Sequence, residues 1–341
     1  MGSVTIYDIA REAKVSPATV SRVLTGSARV KPAKEKLIRE LMEKYGFQPN
    51  AMAQSLVDGR SRLIGLLAAD IRNPYYAEVC VACEMAAFRS GYRVLLRNVL
   101  NRNEAEDDTL DVFTAHRVDA VIQIGSRIDE LAGDPEYVRR INRLGRPFIS
   151  TGKMDGADMY TFGIDSAEGI RIAFEYLMGL GHERIALMGG ALRVRSTYEK
   201  WSKFIYMLGL YNIPLRQGYV QEGNYDFTSG YECMQKLLDL EDAPTAVIAI
   251  NDYTAVGALS ALNNRGIACP GDISIVSHDN TFLTGITTPR LTSISYGNVE
   301  LGEGLVNTAV NVIEQRETPR ATYLIPTLVE RGSCARANQD I

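Results

Sequence analysis

The chain has three histidines, one tryptophan and five cysteines in 341 residues, and each scarcity removes a class of chemistry. His116, His182 and His278 lie far apart in sequence and build no metal constellation. The cysteines, Cys80, Cys83, Cys233, Cys269 and Cys334, are odd in number and scattered, which suits a reducing compartment rather than a disulfide framework. Cys80 and Cys83 form a C-x-x-C, yet they have no second ligand pair and sit in what reads as the middle of an amphipathic helix, so no metal is expected there. A charged start followed by an apolar segment is missing, as is any apolar run long enough to cross a bilayer. Neither secretion nor membrane insertion is expected, and the expected location is the cytoplasm. Also missing are a Walker loop, G-x-S-x-G, a dinucleotide fingerprint, a Ser/His/Asp grouping and a placeable carboxylate pair. No catalytic residue and no cofactor is assigned, and an enzyme is not expected.

What is present is uneven in charge. Residues 1–62 carry 11 Lys+Arg against 6 Asp+Glu, a net of +5, whereas the rest carries 26 against 35, a net of −9. A basic head on an acidic body gives the head an electrostatic footprint for phosphates and keeps the body off the duplex. The overall net of −4 conceals this division. At 46% hydrophobic, the chain can bury a core in each of two lobes besides a small head.

The head reads as three helices. Thr5 caps the first, with Asp8 placed to reach back, and Ile6, Ile9, Ala10 and Ala13 share one face. Ser16 followed by Pro17 starts a second helix, because a serine oxygen accepts an orphan N–H and proline at the first position needs no partner. Val15 and Val20 fit a hydrophobic staple. Val20, Val23 and Leu24 are expected to point inward, leaving Pro17, Ala18, Ser21 and Arg22 outward near the N-terminal half, where a recognition helix touches DNA. A third helix is expected from about Pro32, with Leu37, Leu41 and Tyr45 on one side and Gly46 at its end.

The stretch VTIYDIAREAKVSPATVSRVL resembles, nearly residue for residue, the head signature of the lactose-repressor/galactose-repressor (LacI/GalR) class of bacterial transcription regulators. It is followed at the expected distance by GFQPNAMAQSLVDGRSRLIG, which is similar to that family's hinge, and the resemblance runs to about Gly332. It implies a homodimer reading a roughly palindromic DNA operator, since twofold protein symmetry demands twofold DNA symmetry. The DNA-contact set is then Thr5, Tyr7, Ser16, Pro17, Ala18, Thr19, Ser21 and Arg22 in the head, with Asn50, Ala53, Gln54 and Leu56 in the hinge. Ser16, Thr19 and Ser21 would hold phosphates or neighbouring bases, Pro17 and Ala18 would make apolar contact, and Arg22 offers the fork suited to guanine. Residues 50–57 make only two helical turns, too few to persist in water, so hinge folding is expected to couple to binding. By resemblance, Leu56 wedges into the minor groove.

From Leu63 onward, short apolar runs alternate with amphipathic helices, the signature of parallel βαβ units. LIGLLAAD, YRVLLRNV, VDAVIQIG and PFISTG form a first series, and RIALMGG, YVQEG, AVIAIN and SIVSHD a second. The expected fold class is α/β: a helix-turn-helix head, a hinge helix and two doubly wound parallel-sheet lobes of periplasmic-binding-protein type. The expected division is head 1–48, hinge 49–61, two-lobed body 62–333 and tail 334–341. Lobe 1 is set at about 62–161 and 292–321, and lobe 2 at about 162–291 and 322–333, with the strand near 292–296 returning the chain to lobe 1. The tail lacks leucine heptads, so a dimer is expected rather than a tetramer.

Ligands in such sheets sit beyond the carboxyl ends of the strands, here in the inter-lobe cleft. The expected effector is a small molecule of carbohydrate type. Asn73-Pro74-Tyr75-Tyr76 follows the first strand and resembles the family's pocket turn; Tyr75 and Tyr76 fit a sugar face and a lobe-interface plug equally. Asn251 matches an asparagine that bonds a ligand hydroxyl, beside Asp252 as a helix-cap candidate. Asp279 ends a buried strand with no partner visible in sequence and is the leading pocket residue. Trp201 fits core packing as well as stacking on ligand. Thr197 stands where sugar-binding members usually have an arginine, and Gly152-Lys153 replaces an acidic residue of some members. Lys153, Arg193 and Arg195 together would fit an anionic ligand. Tyr296 completes the expected effector set.

Overall fold

The computed structural model describes residues 4–25, 29–47 and 60–338. It separates into two compact units, residues 1–61 and 62–341, each treated by itself. The hinge candidates Asn50, Ala53, Gln54 and Leu56 lie outside the described residues.

In the first unit, α1 (Ile6–Glu12), α2 (Pro17–Thr25) and α3 (Pro32–Lys44) enclose a small core of Ile9, Ala10, Ala13, Val20, Val23, Ile38 and Leu41. The Asp8 carboxylate accepts from the Thr5 amide at 3.0 Å and from its hydroxyl at 2.6 Å. Ser16 Oγ accepts from the Thr19 amide at 3.3 Å. Both helix starts therefore use the residues that the sequence offered for capping. The inner face of α3 differs from the expected one. Ile38 and Leu41 are buried, whereas Leu37 and Tyr45 are exposed, because helix packing selects Lys34, Ile38 and Leu41, with the Lys34 ammonium donating to the Ala13 carbonyl at 3.0 Å.

The second unit contains two six-stranded sheets. The first has the order β11-β5-β4-β3-β1-β2, all parallel, from β1 (Leu63–Ala68), β2 (Arg93–Asn98), β3 (Ala120–Ile124), β4 (Phe148–Ser150), β5 (Tyr160–Ile164) and β11 (Ala321–Leu324). The second has the order β12-β10-β9-β8-β6-β7, from β6 (Ile185–Met188), β7 (Val220–Gln221), β8 (Ala246–Ala249), β9 (Ser274–Asp279), β10 (Thr292–Ser295) and β12 (Thr327–Val329), with only β12 antiparallel. Helices α4 (Pro74–Arg89), α5 (Asn103–Ala115), α6 (Pro135–Arg143) and α12 (Asn298–Ile313) belong with the first sheet. Helices α7 (Ser166–Gly179), α8 (Arg195–Leu210), α9 (Phe227–Leu238), α10 (Asp252–Asn264) and the short α11 (Leu283–Ile286) belong with the second.

Two lobe assignments need correction. The strand at 292–296 stays in the second sheet, where β10 pairs with β9 in parallel register from Thr292 opposite Val276. The return to lobe 1 comes after it, with α12, whose Leu301, Leu305, Val306 and Ala309 share a core with Ile64 and Leu66 of β1. Residues 160–164 form a strand of the first sheet, so the earlier crossing follows Ile164 rather than residue 161. An apolar run signals a strand without saying which sheet will hydrogen-bond to it. Segment 321–329 is split, with β11 in the first sheet and β12 in the second.

Cys80 and Cys83 both lie on α4 and are buried; burial pushes the Cys80 thiol up to about 12 and Cys83 in the same direction. Cys83 Sγ faces the Gly302 carbonyl at 3.5 Å, a packing role between α4 and α12. Among the described residues no cluster of three or more His, Cys, Asp or Glu is arranged to hold a metal, and no helix is long and apolar enough to cross a membrane.

Candidate functional site

In the head, the exposed side of α2 begins with Ser16, Pro17 and Ala18 and continues one turn on at Arg22, while Val20 and Val23 are buried. Thr19 and Ser21 are half-buried beside them, and Tyr7 on α1 is 65% exposed. Ser16 Oγ and Thr19 Oγ1 lie 3.0 Å apart. This is a polar and cationic helix start with its anchoring residues turned away, the arrangement that can enter a major groove.

In the body, a cavity of about 450 Å³ opens between the carboxyl ends of the two sheets. Nine of the ten expected effector residues line it: Asn73, Tyr75, Tyr76, Lys153, Arg195, Thr197, Asn251, Asp279 and Tyr296. Trp201 does not. It packs half-buried against the second-lobe core around Phe204, with its ring 5.9 Å from Tyr198. Arg193 is exposed and off the cavity; its carbonyl accepts from the Leu131 amide at 2.9 Å.

Several lining residues are also structural. Asn73 caps α4, its Oδ1 accepting from the Tyr75 amide at 3.1 Å. Tyr75 packs against the cores of both lobes and meets Tyr76 edge-on at 5.1 Å, so it lines the pocket and bridges the lobes at once. Asn251, rather than Asp252, caps α10: its Oδ1 accepts from the Thr254 amide at 2.8 Å and its Nδ2 donates to the Tyr225 carbonyl at 3.1 Å. Asp252 is the first residue of α10, and its carboxylate is taken by Ser277, Ser293 and Thr281. Thr197 Oγ1 shares a hydrogen bond with the Tyr225 hydroxyl at 2.8 Å.

The expected set omits a buried lysine. Lys200 lines the cavity from α8, 7% exposed, and its ammonium donates to the Ile250 carbonyl at 3.2 Å and lies 5.3 Å from the centre of the Tyr296 ring. Burial pushes its pKa down, opposed by the charges of Asp279, Asp129 and Asp252. Burial likewise pushes Asp279 well above the carboxylate range, with Asp252 adding to the rise and Lys200 opposing it. The Asp279 backbone has φ +95°, which turns the strand end into the cleft. The Tyr296 hydroxyl and Arg195 Nε are buried with no hydrogen-bond partner among the described residues. Unsatisfied buried donors of this kind are what a polar ligand would complete.

Asp129 is a second omission. It closes the 3-10 turn Ser126–Asp129 after β3 and accepts from Ser196 Oγ, at the start of α8 in the other lobe, at 2.5 Å. With Leu131 and Arg193, it forms a latch across the cleft. The rule that ligands sit beyond strand ends applies to β3 as it does to β1 and β9, so GSRID carried a usable signal. Burial pushes the Asp129 carboxyl up to about 6, the Ser196 bond opposing it. A carboxyl raised above its unfolded value binds more protons when folded, so its contribution to stability grows as pH falls from about 7 toward 4. Asp129→Asn should therefore be more stable than the parent by roughly 1–3 kcal/mol at pH 7.5, an advantage that vanishes by pH 4. Denaturant titrations at both pH values check this; an advantage independent of pH would refute it.

Residues 5–50 match the family model "Bacterial regulatory proteins, lacI family", and residues 174–334 match "Periplasmic binding protein-like domain". Catabolite control protein A of Priestia megaterium is 30% identical over 330 residues, covering 96% of this chain and 98% of that protein. The HTH-type transcriptional repressor PurR of Erwinia tasmaniensis is 32% identical over 333 residues, covering 97% of each. Among solved structures, the lac repressor dimer bound to operator and the anti-inducer ONPF superposes with a TM-score of 0.88 at 26% identity, covering 98% of this chain and all of that one. Head motif, paired lobes and near-full-length identity agree: the chain belongs to the lacI family of bacterial regulatory proteins, DNA-binding transcription regulators under effector control.

Proposed function

We propose that this protein is a cytoplasmic, non-enzymatic repressor that binds a palindromic operator as a homodimer, with a neutral polyhydroxylated effector in the cleft controlling its affinity. In this reading residues 1–48 bind DNA, 49–61 form the hinge, and the body dimerises and senses. The observation that carries it is the pairing of an exposed helix start, Ser16 to Arg22, with a cavity in which the Tyr296 hydroxyl and Arg195 Nε lack partners among the described residues. A volume of about 450 Å³ suits a small molecule. A solved relative points the same way: one regulator from Enterococcus faecium, 26% identical with a TM-score of 0.70, was solved with bound ribose.

Charge in the cavity favours a neutral ligand over an anionic one. Lys153, Arg195 and Lys200 are matched there by Asp129, Asp165, Glu199 and Asp279, and Arg193 is too far out to add to the cations. Asp279 would accept hydroxyl hydrogens, and Tyr75, Tyr76 and Tyr296 would offer ring faces. For dimerisation, Val81, Met85 and Phe88 make an apolar stripe on α4, 55–64% exposed at helical spacing. A coupling of roughly 1–3 kcal/mol between cleft and operator gives a 5- to 150-fold change in affinity.

The test is a gel shift against genomic fragments at several salt concentrations, followed by base-substituted versions of the bound fragment. Arg22→Ala should cost about 1–3 kcal/mol and relax preference at one base pair per half-site. Equal weakening on specific and random duplex would remove Arg22 from base reading, and binding unaffected by deleting the head would overturn the function.

A further inference from the structure

The first sheet ends, at the edge opposite the cleft, in a row of arginines. Because its six strands are parallel and in register, all their starts lie along one edge. Arg62 precedes β1, Arg93 opens β2, Arg117 precedes β3, Arg143 and Arg146 precede β4, and Arg320 precedes β11. With strands about 4.8 Å apart, the six starts span roughly 24 Å.

All six arginines are exposed, and five of them, all but Arg320, have no carboxylate within ion-pair distance among the described residues. The acids on this edge are largely engaged. The Asp119 carboxylate accepts from the Arg62 amide at 2.8 Å, Asp158 pairs with Arg320 at 2.7 Å, and Glu314 pairs with Arg316, leaving Glu317. The corresponding edge of the second sheet is built otherwise. There Arg184 and Arg216 both bind Asp242, beside Asp272 and Arg290. Arginines without carboxylate partners therefore gather at the edge where the polypeptide enters the body from the linker, in a body, residues 62–341, whose 27 Lys+Arg against 35 Asp+Glu leave a net charge of −8.

Arg93 also stacks on Phe88 and Arg143 sits in the last turn of α6, but a row of guanidiniums without carboxylate partners meets its complement in a row of phosphates. We infer that the strand-start edge of the first lobe is a second DNA-binding surface, attracting the phosphate backbone of a duplex. The inference rests on the DNA-binding reading. It revises the expectation that an acidic body is kept off the duplex: the repulsion is confined to the rest of the body, and this edge adds a sequence-independent attraction.

The experiment uses the full chain and a fluorescent random-sequence duplex of 40 base pairs, with anisotropy titrations from 50 to 200 mM salt. The triple variant Arg117→Gln, Arg143→Gln, Arg146→Gln should bind at least tenfold more weakly at 50 mM. The slope of log affinity against log salt should fall by roughly 2–3, about 0.9 for each phosphate that is no longer neutralised. Replacing the same three with lysine should restore the slope, which a misfolded or merely structural variant would not do. An unchanged slope in a triple variant that keeps the parent melting temperature would overturn the inference and leave the head's DNA binding standing. Failure of the parent itself to bind duplex at 50 mM would overturn the DNA reading, and this one with it.

Discussion

Lys200→Met is expected to destabilise the body by roughly 1–3 kcal/mol at pH 8, because it removes the ammonium hydrogen bond to the Ile250 carbonyl and a cation that opposes the buried charge of Asp279. The ammonium is a cation opposed to the buried carboxylates Asp279 and Asp252 and the half-buried Asp129, and desolvation disfavours every one of these charges. Without it, Asp279 faces Asp252 with no compensation. The pH dependence then distinguishes lost charge from lost packing. Asp279 in the variant has its pKa raised further above the unfolded value, so the folded variant takes up a proton that the unfolded chain does not. Stability relative to the parent should recover as pH falls from 8 toward 5. The double variant with Asp279→Asn should recover much of the loss at pH 8, because both charges leave together. A loss that is constant from pH 8 to 5 and additive with Asp279→Asn would mean that Lys200 acts through its hydrocarbon stem alone. In either variant the response to effector should be lost, since both groups line the cavity.

The second large effect concerns the packing of α9 on α10. A Cβ placed on Gly257 would lie 2.1 Å from the Phe227 carbonyl oxygen and 2.7 Å from the Tyr231 nitrogen, and one on Gly230 would lie 2.1 Å from the Thr254 carbonyl oxygen. These neighbours are backbone and cannot swing aside, so the helices must separate. Gly257→Ala should cost about 3 kcal/mol or more, at or beyond the usual ~1–3 kcal/mol for overpacking. Gly209→Ala on α8 is the matched control: nothing lies within 4 Å of its Cβ position, and the substitution should stabilise by roughly 0.5–1 kcal/mol through helix propensity. Thermal unfolding of the two variants measures the contrast; equal and small effects would show that the α9–α10 spacing relaxes freely.

Local signals carried the head and the alternation of the lobes. Thr5, Asp8, Ser16 and Pro17 act over three or four residues, and capping of that range is written in the sequence. Asp279 was readable as a lone carboxylate at a buried strand end. Lys200 and Trp201 were not, and one cause accounts for both. The side of α8 that faces the cleft is fixed by how that helix lies on the second sheet, and a rotation of about 100° per residue puts Lys200 inside and Trp201 outside. Charge and size alone suggested the reverse. The destination of β5 and β10 was equally hidden, because membership of a sheet depends on partners more than ten residues distant.

The chain passes between the lobes after β5, after β10 and after β11, so neither lobe is a continuous stretch. During synthesis, the head emerges first with every residue of its core already made. The first lobe must wait. Its sheet lacks β11, and its apolar face lacks Leu301, Leu305 and Val306, until residues 298–324 have left the ribosome. Translation must therefore pass β11 before the first lobe can close, and a chain cut short ahead of it by a premature stop would keep a folded head on a lobe with an open, aggregation-prone core.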